Sequence, residues 1–403
     1  MYPNSLDDIV KENLCSGCGL CATIAGNSTV AMQLDTEGFY RPQLLGTLGL
    51  KEWDIIKATC PGVIVEQPEP VDDAKLDYLW GSIQQIAVGY ATDDVMRWKA
   101  SSGGVISALL TFLLDTRQVD FVIHVGVRSS DPFLLTPGVS RTRDEIIQHA
   151  GSRYAPTAPL ETLGIILRDN PGKCAIVGKP CDISALRRYM EINTEVAERV
   201  IVLISFFCAG VPSQNATWDL LEYMGVDKAD VASFRYRGYG WPGRATAICW
   251  DGTEFSSDYN HAWGQVLNRK LQFRCKICPD GIGELADLVC GDAWVTVNGY
   301  PDFEEKPGRS LVIARTKLGN GILQLATNQG FLSVEPMNLN DLNAAQPYQL
   351  TRRRSIFPRV LAMRAAGKPV PNYRGFHLVR NAISGEAKFM LSQFLGMYRR
   401  LHS

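Results

Sequence analysis

The spacing of the cysteines constrains this chain more than any other feature. Cys15, Cys18 and Cys21 follow the pattern C-x-x-C-x-x-C, and Cys60-Pro61 comes much later. Three thiolates in so tight a loop wrap a single centre, and Cys60 supplies the fourth ligand that an iron–sulfur cubane needs. Gly17 and Gly19 suit such a loop, because they let the backbone approach and turn N–H groups toward sulfur. In two-cluster ferredoxins the fourth cysteine follows closely and serves the other cluster. Here it lies far away and the motif occurs once, so one cluster is expected in this segment, with a structural zinc site as the alternative. A second, looser set is Cys181, Cys208, Cys275 and Cys278. Cys174 and Cys249 lie inside apparent strands and read as small buried hydrophobes, and Cys290 is read as a bystander too.

The bulk properties narrow the class. A chain of 403 residues has room for two or three domains. An apolar fraction of 46% and a charged fraction of 21% are ordinary for a soluble globular protein. The formal net charge of -1 gives no bulk pull toward nucleic acid or a membrane surface. No apolar run is long enough to span a bilayer, and the first residues lack a basic region followed by an apolar stretch. The expected location is therefore cytoplasmic, where eleven cysteines favour metal or redox sites over disulfides. The sequons at Asn27 and Asn215 are read as coincidence.

The expected fold class is α/β: a small N-terminal ferredoxin-like module joined to a mixed α/β flavin-binding core with a helical C-terminal tail. Residues 1–65 are rich in Cys and Gly and poor in apolar runs, so a cluster would have to hold them together. Residues 66–80 read as a linker, opening with the proline- and acid-rich stretch from Glu66 to Asp73. The core spans 81–340. Within it Val105–Leu114 reads as an apolar helix, and Val119–Val125, Lys173–Gly178 and Val200–Phe207 as buried strands. Asp182–Met190 and Trp218–Met224 read as helices. Strand, helix and strand in that order predict a parallel sheet with covering helices. Residues 232–258 read as antiparallel. The tail, 341–403, is basic and helical, and its arginines are read as a solvated face, with RNA binding or partner docking as the alternative.

Topology gives the looser quartet a physical rationale. Cys181 follows the strand ending at Val177-Gly178 and opens a helix, where thiolates are stabilised. Cys208 follows the strand ending at Phe207. If these strands are parallel, both cysteines lie at the C-terminal rim, where open α/β sheets place ligands. Arg274-Cys-Lys-Ile-Cys-Pro brings a C-x-x-C clip to them. Spacing alone leaves open whether these are ligands or buried single cysteines.

A series of motifs carries a resemblance. Ser101-Ser-Gly-Gly, Gly151-Ser-Arg-Tyr, Gly178-Lys-Pro-Cys-Asp, Phe206-Phe-Cys-Ala-Gly and Cys275-Lys-Ile-Cys-Pro-Asp, followed by Ala286-Asp and Gly291-Asp-Ala-Trp, occur in that order. Over roughly residues 80–340 the chain resembles the coenzyme F420 hydrogenase/dehydrogenase beta-subunit family. The N-terminal module is similar to that of longer members, among them divinyl-chlorophyllide reductases and 7-hydroxymethyl chlorophyll a reductase. The resemblance implies that Cys181, Cys208, Cys275 and Cys278 hold a [4Fe–4S] cluster beside FAD, giving two clusters with the N-terminal one. Ser101, Ser102, Gly103 and Gly104 before a helix suit the flavin's pyrophosphate, with a plain helix cap as the alternative. Lys99 is expected to add charge, Gly151, Ser152 and Arg153 to contact phosphate, and Tyr154 to meet ring or ribose. Gly238-Tyr-Gly-Trp-Pro-Gly matches G-x-G-x-x-G only formally; a strand rather than a helix follows, and it reads as a wall of the cleft.

The chain departs from the family in one place. Lys179 and Asp182 stand where members often carry Thr and Gln. Lys179 is expected to face an anionic reduced flavin or acidic substrate, or else to pair with Asp182 or water. His149 is a candidate acid–base group, and His124 reads as a satisfied core residue. Asp287 and Asp292 are expected near the clip or flavin. The expected function is an iron–sulfur flavoprotein oxidoreductase. Single electrons would pass from reduced ferredoxin or a dehydrogenase subunit through two clusters to FAD, for hydride reduction of a small organic acceptor. The alternatives are a non-catalytic relay subunit, a coenzyme F420 oxidoreductase and a cluster-bearing sensor. Neither nucleic acid nor a membrane span is expected, and homo-oligomerisation stays open.

Overall fold

A computed structural model describes residues 3–67, 74–128 and 130–402. The centre of the expected linker, residues 68–73, lies outside the described residues. An eight-stranded sheet organises the rest. In chain order its strands are β1 (Gln85–Ala91), β2 (Phe121–Arg128), β3 (Asp131–Ser140), β4 (Cys174–Val177), β5 (Val200–Phe206), β6 (Leu288–Asp292), β7 (Ser310–Ala314) and β8 (Leu332–Pro336). Their spatial order is β8-β1-β7-β6-β5-β4-β2-β3.

The expected parallel sheet forms only in the middle. Strands β2, β4, β5 and β6 run parallel, with Val177 beside Ile204 and Ile204 beside Leu288. Both flanks are antiparallel: β3 returns along β2, while β7, β1 and β8 pair antiparallel on the other side. The reason is connection length. β2 and β3 are joined too tightly for a crossover helix, so they form a hairpin.

The central strands are buried on both faces with the period of two that a strand imposes. Val122, Ala175, Val202 and Ile204 pack with the apolar helix Val105–Asp115, whose Leu109, Phe112 and Leu113 are fully buried. Phe121, Ile123, Cys174, Ile176 and Leu203 face the opposite way, onto the helix Pro180–Ile192. Residues 231–257 form a separate three-stranded antiparallel sheet, as expected.

The tail is helical over Leu339–Ala345, Pro347–Ala365, Leu378–Ile383 and Ala387–His402, but it is not a solvated face. Ile356, Val360, Ala362 and Met363 share a core with Leu6, Ile9, Leu14 and Val30 of the N-terminal segment. The short strand Asn372–Arg374 pairs in parallel with Ile64–Glu66. The cysteine-rich segment thus borrows from the tail the apolar surface it lacks itself.

Candidate active site and the cysteine quartets

All eleven cysteines are free thiols. Burial raises Cys15, and it raises Cys18, pushed up to about 12, with Asp182 and Cys15 adding to the effect. Burial also raises Cys21, reinforced by Cys18, Cys15 and Cys60, and Cys60, reinforced by Cys18 and Cys15. Four thiols that feel one another in this way stand together. The loop is shaped for them: Gly17 donates its N–H to Cys15 Sγ at 3.4 Å. Gly19 sits at φ +83°, where a Cβ would lie 2.7 Å from the Glu161 nitrogen, so no other residue fits.

The second set converges by topology. Cys181 opens the helix Pro180–Ile192 after β4, Cys208 follows β5, Cys275 sits in the short helix Phe273–Lys276 before β6, and Cys278 comes just after that helix. Burial raises Cys181, with Asp182, Cys208 and Cys278 contributing; burial pushes Cys208 up to about 12, with Cys275 and Cys278 contributing. Val211 donates its N–H to Cys275 Sγ at 3.4 Å. Cys174 lies apart in β4 and Cys249 in the small sheet. Cys290 lies in β6, pushed up to about 12 by burial, and lines the same cavity as Cys208.

The tail's arginines grip the loops that carry this set. Arg352 donates to the carbonyls of Cys208 at 2.7 Å and Cys275 at 2.9 Å. Arg353 reaches the Pro279 carbonyl at 2.8 Å and pairs with buried Glu284; Arg359 reaches the Lys276 carbonyl at 2.8 Å. These arginines are the functional residues that sequence reasoning missed. Their signal was the Arg352-Arg-Arg run, which reads as solvated charge unless the helix is known to pack.

A cavity of about 720 Å³ opens at the C-terminal rim of β4, β5 and β6. Cys208 lines it, and so do Ser101, Ser102, Gly104, His149, Gly151, Ser152, Arg153, Tyr154, Lys179 and Asp182. Lys99 does not; it is partly exposed at the end of the helix Asp94–Lys99. Gly103 lies behind the wall, its N–H donating to Ser310 Oγ at 2.8 Å. Ser101 Oγ accepts from the Ser152 N–H at 2.5 Å, so the two expected binding segments are tied together. The helix Val105–Asp115 starts at Gly104 with no side-chain cap. Its uncapped N–H groups and positive dipole end face the cavity. Arg153 is held by the carbonyls of His149 and Ala150 at 3.4 and 3.2 Å, and its Nε is buried without a partner. An unsatisfied cationic donor beside an uncapped helix end suits a phosphate group.

Lys179 and Asp182 pair: Nζ lies 2.8 Å from Asp182 Oδ2 and 3.1 Å from Thr157 Oγ1. Burial pulls the Lys179 ammonium down, but Asp182 and the thiols of Cys181 and Cys208 outweigh it and hold the group well above its usual range. Lys179 is therefore a fixed cation between the inner thiols and the cavity. His149 meets His124 edge-to-face, with ring centroids 5.0 Å apart. Burial, then Arg153, lowers His149; burial, then His149 and Arg153, lowers His124 to about 4. His124 Nε2 shares a 2.7 Å hydrogen bond with Ser140 Oγ, so it is a satisfied core residue that also touches the cavity.

The opposite wall is aromatic and was only partly foreseen. Arg237 forms a two-pronged pair with Asp292 at 2.9 and 3.0 Å and lies over the rings of Tyr259 and Trp294. Trp263 and Tyr348 complete it. Asp287 is elsewhere: its carboxylate staples the Leu203 N–H of β5 at 2.8 Å and pairs with Arg187. The glycine-rich Gly238–Gly243 stretch leads into the strand Ala245–Cys249 and packs behind Arg237, with Trp241 stacked on Trp294 at 4.9 Å.

Among the described residues, no group of three or more His, Cys, Asp or Glu could hold a single metal ion. Four thiols with N–H donors to sulfur and cationic neighbours are the donor set an iron–sulfur cluster takes. No helix among the described residues is long and apolar enough to cross a membrane.

These features coincide with known proteins. Profiles for the N-terminal and C-terminal parts of the coenzyme F420 hydrogenase/dehydrogenase beta subunit match residues 86–163 and 172–339 respectively. Together they cover more than half of the chain, which belongs to this family. The chain is 24% identical over 304 residues to the coenzyme F420 hydrogenase subunit beta of Methanococcus voltae, covering 72% of this chain and 99% of that one. It is also 24% identical over 366 residues to the coenzyme F420-dependent sulfite reductase of Methanocaldococcus jannaschii, covering 87% of this chain but only 51% of that protein. The fold resembles a chain of the F420-reducing [NiFe] hydrogenase complex from Methanosarcina barkeri, with a TM-score of 0.57 and 21% identity, over 74% of this chain and 99% of that one. The named relatives are oxidoreductases or their subunits.

Proposed function

We propose that the chain is an iron–sulfur flavoprotein oxidoreductase. Cys15, Cys18, Cys21 and Cys60 hold an outer [4Fe–4S] cluster, Cys181, Cys208, Cys275 and Cys278 hold an inner one, and FAD occupies the cavity. The observation that carries this reading is Cys208, which belongs to the inner quartet and also lines the cavity with Arg153 and the uncapped helix end. When bound, a flavin converts between one-electron cluster chemistry and two-electron hydride chemistry.

The side chains then have distinct tasks. Arg153 and the N–H groups after Gly104 bind the pyrophosphate. Tyr154 and Trp263, with ring centroids 4.7 Å apart, supply a face for planar rings. Lys179 keeps a positive charge between thiolate and cavity, which favours electron arrival there. His149, lowered by burial, is neutral at pH 7 and so is placed to accept a proton at the cavity wall. A reduced ferredoxin feeds the outer quartet, a small organic molecule accepts hydride, and the protein works in the cytoplasm.

A second reading is favoured by the relatives, several of which are subunits: the chain serves as a relay subunit of a larger hydrogenase or dehydrogenase, exchanging electrons with coenzyme F420. Anaerobic purification with iron, sulfide and flavin quantified tests the common core, which requires about eight iron atoms and one flavin per chain. About four iron atoms, or no flavin, overturns it. Turnover of the purified chain with an artificial reductant and an organic acceptor separates enzyme from relay.

A further inference from the structure

Arg274, the residue before Cys275, lies between the two quartets and is 2% exposed. Its Nη2 and Nε donate to the Pro61 carbonyl at 2.9 and 3.3 Å. Pro61 follows Cys60, so this pair of hydrogen bonds joins the backbone beside an outer cysteine to the backbone beside an inner one. The remaining nitrogen, Nη1, is buried and makes no hydrogen bond of good geometry, although the Tyr373 hydroxyl is a neighbour of the guanidinium. A buried guanidinium N–H is costly unless an acceptor completes it. Cys60 on one side and Cys181, Cys275 and Cys278 on the other lie within electrostatic reach of the guanidinium.

The position is reinforced from two directions. The guanidinium carbon sits 5.5 Å from the centre of the Tyr373 ring, and the Tyr373 hydroxyl donates to the Ile277 carbonyl at 2.7 Å inside the clip. Two residues before Arg274, the Gln272 side-chain amide donates to the Cys15 carbonyl. The clip that supplies half of the inner quartet is therefore strapped to the outer loop by Gln272 and Arg274, and of these two Arg274 is the one that brings a charge.

We propose that Arg274 is a positioning residue for electron passage between the quartets: it links Cys60-Pro61 to Cys275 through hydrogen bonds, and its third N–H is completed by a sulfide of a bound cluster. The inference rests on the two-cluster reading. One electron leaves the outer side and one arrives on the inner side; no covalent bond or proton changes hands.

The test uses the full chain, purified anaerobically, with dithionite as the one-electron reductant. Iron is counted first: a wild-type value of about four instead of eight fails the two-cluster reading itself. With eight iron atoms, the fully reduced wild type is expected to give electron paramagnetic resonance signals split by coupling between the clusters. Two magnetically isolated signals overturn the bridge, whatever any variant does. Arg274→Met is expected to keep its iron, to move the cluster midpoints to lower potential, and to pass electrons inward roughly tenfold more slowly. Arg274→Lys, which restores the charge but not the fork, is expected to recover the midpoints and not the rate. Unchanged midpoints and rate in Arg274→Met, or a lysine variant as fast as wild type, overturn the proposal.

Discussion

Each quartet has four thiols, but the two are built in opposite ways. The outer one comes from a single tight loop plus Cys60, and its geometry is largely local. The inner one is assembled from the ends of two parallel strands and a clip more than sixty residues further on, and arginines of the tail hold those pieces in register. The order of the outer thiols is set within one loop even though its segment leans on the tail for a core, whereas the inner set has no such local frame and depends on every element that brings its pieces together. Cys208 of the inner set lines the cavity, whereas Cys15, Cys18, Cys21 and Cys60 do not, so on the proposed function the two sets would divide the receipt of electrons from their use.

Removing each quartet in turn gives the largest expected effect. Cys278→Ser should lower iron from about eight to about four atoms and abolish flavin reduction through the outer site. Cys18→Ser should lose the same amount of iron yet leave flavin reducible by small reductants that reach the inner site directly. Iron analysis with anaerobic absorbance spectra checks both; identical behaviour of the two variants would erase the distinction.

Arg352 probes the topological site alone. Arg352→Met leaves two carbonyls of the inner loops without their charged donor, a loss of about 3 kcal/mol in unfolding free energy. Chemical denaturation measures that loss, and iron analysis should show the inner quartet emptied before the outer one. Arg153→Met should weaken flavin binding about thirtyfold with both quartets intact, measured by equilibrium dialysis of the apoprotein. The smallest effect is acid sensitivity on the cavity side. The folded pKa of His124, about 4, lies below its unfolded value of 6.5, so the stability it contributes is present above pH 6.5 and lost as pH falls toward 4. Between pH 7 and about pH 5 this amounts to about 2 kcal/mol, which thermal melts should register and His124→Gln should remove. His149, Arg153 and Glu145 face His124 and also belong to the inner region, so no matching acid loss is expected from the outer loop.

These contrasts also explain what the sequence disclosed. The grouping of Cys15, Cys18 and Cys21 was legible because cysteines spaced by two residues share one tight loop, and Cys60 stands with them. The strands at 174–177 and 200–206 and the helix at 105–115 were legible from apolar runs long enough to declare a period. The antiparallel flanks β7, β1 and β8 were not, because a short buried run such as Ser310–Ala314 says nothing of its direction or partners. Arg274, Arg352 and Arg353 were invisible as site residues, since a charge reads as solvated until a fold supplies the carbonyls that bind it. Lys99, expected to add charge beside Ser101, is partly exposed at the end of the helix Asp94–Lys99 and is not among the residues that line the cavity.

The most direct measurement of the central claim is an anaerobic reductive titration of the purified chain, counting electrons against absorbance. Two one-electron clusters in communication with a two-electron flavin require about four electron equivalents per chain, with flavin bleaching included in the same titration. An end point near two, or flavin that stays oxidised while the iron–sulfur absorbance is spent, would contradict the account.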